Sequence, residues 1–205
     1  MPGNGVAKPV TCDQTFNDMD PRNTQELLEK LSSRVRQTIT AAKQLAALPD
    51  AQLQQKPHPK AWNALECLAH LNHYGDFYHP EIRRRIETSK HKTPQATYTS
   101  SWLGNKFAAG MKPGPKTRKV KTFKNANPIN FTTPADRSVI NTFLNQQQEM
   151  LDLLELAKTV DLTRTKTSTS ISRFLKLRLA DTFRTMVYHD WRHVEQARHA
   201  AGLEL

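Results

Sequence analysis

The sequence predicts an all-α chain: a four-helix bundle with one long crossover connection. Apolar residues recur at three- and four-residue steps in four separate segments, and no alternating apolar and polar run of useful length occurs. A stretch rich in Lys, Pro, Gly and Asn, from 89 to 134, separates the second segment from the third. So long a connection inside a small domain indicates a crossover rather than a hairpin turn.

Residues 1 to 20 are polar and unpatterned and read as a mobile leader. The first helix is expected from Asn23 to about Leu48. Asn23 suits an N-cap, with Glu26 three residues on to reach back, and Leu27, Leu28, Leu31, Val35 and Ile39 make one apolar stripe. Pro49-Asp50 ends it, and Lys56-Pro57-His58-Pro59 forms a stiff connector. A second helix spans Asn63 to Phe77. His79-Pro80 should interrupt it before helix resumes from Glu81 to Thr88. The crossover is expected to carry short helical turns at most, around Ser101 to Phe107. Asp136 can cap a third helix that turns Val139, Ile140, Phe143, Leu144, Leu151 and Leu154 inward and ends near Val160. The fourth is expected from about Ser170 to Ala201, with Gly202 as its stop.

At 205 residues the chain can bury one sizeable core, and 37% apolar content leaves part of it outside. The apolar runs are too short to span a bilayer, and the N-terminus lacks a secretion-signal pattern, so a cytoplasmic address is expected. Cys12 lies in the leader and Cys67 in a patterned helix, which argues against a structural disulfide. The formal charge of +11 favours acidic partners. It is concentrated between Lys106 and Lys124, where seven basic residues occur and no acid; such a run reads first as a solvated loop. No helix-turn-helix, zinc-finger spacing or aromatic stacking platform accompanies it, so nucleic acid is not an expected partner.

The chemistry lies in two helix seams. Leu179, Thr182, Met186, His189, His193 and Gln196 share one face of the fourth helix. Histidines at i and i+4 stand about 6 Å apart along the axis, so both imidazoles can reach one ion. Trp62, Glu66, His70, His73 and Phe77 form the seam of the second helix, so His70 and His73 both point roughly inward. Histidines facing one another across a bundle can hold a metal; they can equally pair with buried carboxylates or carbonyls without one. Glu66 is placed to orient an imidazole or to make an ordinary buried hydrogen bond, and Gln196 to face the ion or close the pocket. Cys67 lies off the seam and reads as a small buried thiol, and Trp62 and Trp191 as packing residues.

The stretch Trp62-Asn63-Ala64-Leu65-Glu66-Cys67-Leu68-Ala69-His70-Leu71 resembles the second-helix signature of the DinB-like family. Tyr188-His189-Asp190-Trp191-Arg192-His193-Val194-Glu195-Gln196 resembles its last-helix signature, and Leu177-Arg178-Leu179-Ala180-Asp181 is similar too. The resemblance runs from about 23 to 201 and implies a DinB-like domain over 21–205 with up-up-down-down topology. It implies metal ligands at His70, His189 and His193, and it allows a homodimer. The cofactor expected is a divalent ion, zinc or nickel, since both suit imidazole. With coordination positions left for solvent or substrate, the expected function is a metal-dependent hydrolase or thiol transferase acting on a small molecule. The competing expectation is a non-catalytic module that holds an anionic partner on the basic 106–124 crossover.

Overall fold

The computed structural model describes residues 20–114, 121–172 and 174–203. The expected leader thus lies almost wholly outside the described residues, as does the middle of the basic run, 115–120. In chain order the helices are α1 (Thr24–Ala46), α2 (Asp50–Leu53), α3 (Ala64–Glu87), α4 (Trp102–Met111), α5 (Ser138–Leu156) and α6 (Leu179–Ala200). Strands are two or three residues long: β1 (Arg22–Asn23) pairs antiparallel with β2 (Thr97–Tyr98), and β3 (Lys166–Ser168) with β4 (Lys176–Arg178). The chain is all-α. Among the described residues no helix is long and apolar enough to cross a membrane.

Helix α1 starts where its cap dictates. The Asn23 side chain accepts the Glu26 N–H at 2.8 Å. The expected return contact gives way to an ion pair, since the Glu26 carboxylate turns to Lys30 one helical turn on. In α3 the reciprocal box is complete: Asn63 accepts the Glu66 N–H at 2.8 Å, and Glu66 accepts the Asn63 N–H at 2.9 Å. That box takes Glu66 away from the imidazoles, and its other carboxylate oxygen meets Lys56 at 2.8 Å.

Three expectations differ from the structure. The crossover carries a ten-residue helix, α4, where short turns at most are expected, and two helix boundaries move. Helix α3 runs unbroken through Pro80. Proline in a helix interior costs about 3 kcal/mol, but Tyr78, Ile82 and Ile86 on either side of it are buried and hold the helix in register. Asp76, whose carbonyl loses its helical partner, is exposed, so water can supply one. The fourth long helix begins at Leu179 rather than Ser170, because the preceding residues form the β3–β4 hairpin. Its polar groups are taken up by the helices below. The Ser168 N–H donates to Glu81 at 2.8 Å, and the Thr167 hydroxyl lies 2.7 Å from that of Thr182.

Helices α1 and α3 each pack against both α5 and α6, which closes a ring of four around the core. Helix α4, carried by the crossover, docks on the outside of α6. Its N-cap Ser101 accepts the Gly104 N–H at 3.0 Å, and the Ser101 N–H and hydroxyl both donate to the fully buried Asp181. The apolar interior falls into two clusters. One contains Leu31, Ile82, Met150 and Phe183; the other contains Leu45, Leu68, Phe143 and Val194. Along both α3 and α6, the histidines stand where one cluster gives way to the other.

Candidate metal centre

Three histidines meet at that boundary. His70 comes from α3 and His189 and His193 from successive turns of α6, and one ring nitrogen from each lies within 4.8 Å of the others. The ring centroids are 4.7 to 5.1 Å apart. The Nε2 atoms of His70 and His189 are separated by 3.2 Å. Two nitrogens bound tetrahedrally to one ion at about 2.0–2.1 Å would stand about 3.3 Å apart. The donor set therefore fits a divalent cation.

The tautomers of His70 and His193 fit as well. His70 Nδ1 lies 2.8 Å from the Ala126 carbonyl oxygen, which can only accept, so Nδ1 carries the proton and the Nε2 lone pair faces the cluster. Likewise His193 Nδ1–H donates to Gln196 Oε1 at 2.9 Å. Desolvation by burial is the main cause that lowers all three imidazoles, taking His70 to about 4 and His193 to about 3 and holding His189 well below its ordinary value. Mutual repulsion within the cluster adds to this at His189 and His193. At neutral pH all three are uncharged, the form that binds metal.

Around the cluster the walls are aromatic. The Trp62 ring lies 4.8 Å from His70 and 5.8 Å from His193, and Tyr74 presents its edge to His70 and His189. His193, Trp62 and Tyr74 are half-buried, so the cluster is reached from their side, while His70 and His189 are buried.

The other expected residues divide. His73 does not join the cluster; it packs near Phe131 and lines a separate hollow of about 350 Å³ with Asp76 and Asp136. Glu66 is spent on the α3 cap, whereas Gln196 orients an imidazole. Cys67 is fully buried, and desolvation pushes its thiol far up, so it stays protonated and inert. Trp62 packs on the histidines themselves, and Trp191 carries the Arg34 guanidinium 3.6 Å from its ring centroid.

One participant in the site and one buried neighbour of it had no signal in the local pattern. Ala126 belongs to a short 3-10 turn, Lys124–Ala126, and its role is carried by a backbone oxygen that any residue possesses. Asp190 follows His189, is buried, and accepts from Gln147 Nε2 at 2.8 Å. Burial lifts its carboxyl to about 7 against the opposing pull of that hydrogen bond. Its acidic type suggests a surface; only the packing of α5 against it shows otherwise.

A family model described as the DinB superfamily matches residues 18–197, most of the chain. Nothing among curated proteins or solved structures matches.

Proposed function

This chain belongs to the DinB superfamily, and we propose that His70, His189 and His193 hold one divalent ion, zinc or nickel, in a hydrolase or thiol transferase acting on a small molecule. The observation that carries the reading is the convergence of three uncharged ring nitrogens within 4.8 Å of one another in a largely buried setting. Without an ion, His70 and His189 can share only one hydrogen between their Nε2 atoms, 3.2 Å apart, whereas a cation would satisfy all three rings at once.

A divalent ion in such a site supplies Lewis acidity to an oxygen or sulfur of the substrate. The chain's own residues do the rest. Ala126 and Gln196 fix the planes of His70 and His193, so the lone pairs need no reorganisation on binding. Trp62 and Tyr74, packed on the rings at the open side, narrow the approach and limit bulk water there, which strengthens electrostatic effects within the site. The substrate enters past half-buried His193.

Elemental analysis of untagged protein tests the ligand set. One equivalent of zinc or nickel in the wild type, with none in His189→Ala, supports it. Folded wild-type protein that holds neither metal and takes up neither rejects it. Activated esters, and a thiol paired with an electrophile, then separate the two reaction classes. Either turnover must disappear with chelator.

A further inference from the structure

On the opposite side of α6 from the histidines lies a cleft of about 1200 Å³ between α1, α4 and α6. Arg184, Tyr188 and Trp191 follow one another at steps of four and three and line it. At about 100° per residue, His189 and His193 project roughly 140–180° away from Arg184. None of the three histidines lines the cleft.

Its walls carry five cations, Arg22, Lys30, Arg34, Lys112 and Arg184, against one lining carboxylate, Glu26. Glu26 is paired with Lys30, while Arg184 lies beside Asp181. Only Lys112 belongs to the basic 106–124 run; the tertiary fold gathers the others from distant parts of the chain. Arg184 and Arg34 are held in place. Arg184 is buried and donates to Ser100 at 2.8 Å and Asn105 at 2.9 Å, beside Asp181. Arg34 is half-buried, with its guanidinium stacked over Trp191. Tyr98 and Tyr188 complete an aromatic lining, and Lys112 Nζ lies 6.0 Å from the Tyr188 ring centroid.

A positively charged hollow of this size, with planar groups beside fixed guanidinium donors, matches a ligand that is both anionic and flat. We propose that the cleft is a second binding site, for an organic polyanion bearing a planar ring, the chemistry of a nucleotide. Phosphate groups meet Arg34, Lys30 and Lys112, where guanidinium and ammonium donors make charge-assisted hydrogen bonds. The ring packs against Tyr188 and the Arg34–Trp191 stack, with Tyr98 buried beneath them. The inference does not depend on the metal reading, since the two sites occupy opposite faces of α6.

Calorimetric titration with ATP, inorganic tripolyphosphate and adenosine, in buffer free of divalent ions, tests it. ATP is expected to bind with a stoichiometry of one. Tripolyphosphate and adenosine should each bind at least about 10-fold more weakly, and Arg34→Gln and a Lys30→Gln/Lys112→Gln variant should lose about 10-fold or more in ATP affinity. Both variants alter exposed or half-buried side chains, and a thermal melt matching wild type establishes that they fold. His189→Ala should keep wild-type ATP affinity, which separates this cleft from any coordination of phosphate at the histidines. Wild-type affinity in folded Arg34→Gln, loss of binding in His189→Ala, or tripolyphosphate binding as tightly as ATP would each overturn the proposal. Preference for single-stranded DNA over ATP would overturn it in favour of a nucleic-acid surface.

Discussion

His70 and Ala126 are joined across 56 residues by a single 2.8 Å hydrogen bond from an imidazole N–H to a backbone carbonyl. A histidine on α3 is thereby oriented by the crossover, the segment with the least regular structure around the core. The crossover's 3-10 turns are themselves pinned, with Asn130 Nδ2 donating to the Lys124 carbonyl at 2.9 Å.

Loosening that turn should weaken the site without touching a ligand. Asn130→Ala is expected to lower zinc affinity about 10-fold, the usual effect of removing an orienting partner. Competition against a fluorescent chelator measures it. An unchanged affinity would mean that the Asn130 bond is not what holds the Ala126 carbonyl in place.

Gln196 offers a graded version of the same effect. Gln196→Leu removes the acceptor for His193 Nδ1–H and should cost about 10-fold in zinc affinity, whereas Gln196→Glu keeps an acceptor and should retain most of it. Equal losses in the two variants would show that the hydrogen bond is not what matters.

Metal should also raise the melting temperature. With free zinc at about 100 times its dissociation constant, binding to the native state alone adds about 2.7 kcal/mol. His193→Ala should show little of this shift. A shift as large in the variant as in the wild type would place the ion elsewhere.

Gly104 is a packing requirement of the docked helix. A Cβ there would lie 2.1 Å from Asp181 Oδ2, and that carboxylate is held by Ser101 with no room to retreat. Gly104→Ala should cost about 1–3 kcal/mol or more and free α4 from α6. Gly75→Ala meets only the end of the Gln146 side chain, which can swing aside, and should cost less. Denaturant melts of both variants, with proteolysis of α4 as a second readout, decide the order.

Glu81 couples the hairpin to α3 in a pH-dependent way. Burial works to raise its carboxyl, but the Ser168 N–H and the Arg85 and Arg84 guanidiniums outweigh it and hold the group at about 2, against an ordinary 4.5. A folded value below the unfolded one means that its stabilisation is complete above about pH 4.5 and is lost as pH falls toward 2. Glu81→Gln should destabilise by about 1–2 kcal/mol at pH 7 and converge on the wild type near pH 2. A constant difference across that range would assign the effect to packing.

Much of this was legible in residue order. The stripe through Leu27, Leu31 and Val35 and the cap at Asn23 report α1 because helix periodicity and capping are local properties. His189 and His193 declare their shared face by spacing alone. Pro80 misled for a local reason, since its helix-breaking cost is real; burial of Tyr78 and Ile82 outweighs it. Residues 170–178 misled because their apolar members also fit helical steps, while the hairpin they belong to is anchored through Ser168 to Glu81, 87 residues away.

Residue order alone therefore decided the helical class, the two seams and the histidines to watch. Folding in three dimensions decided that His70 meets the α6 pair while His73 turns away, that a backbone oxygen from the crossover sets a ring plane, and that scattered cations surround one cleft. The division has one physical origin. Periodicity and capping act within a turn or two of helix, whereas convergence of side chains and desolvation depend on which surfaces the bundle presses together.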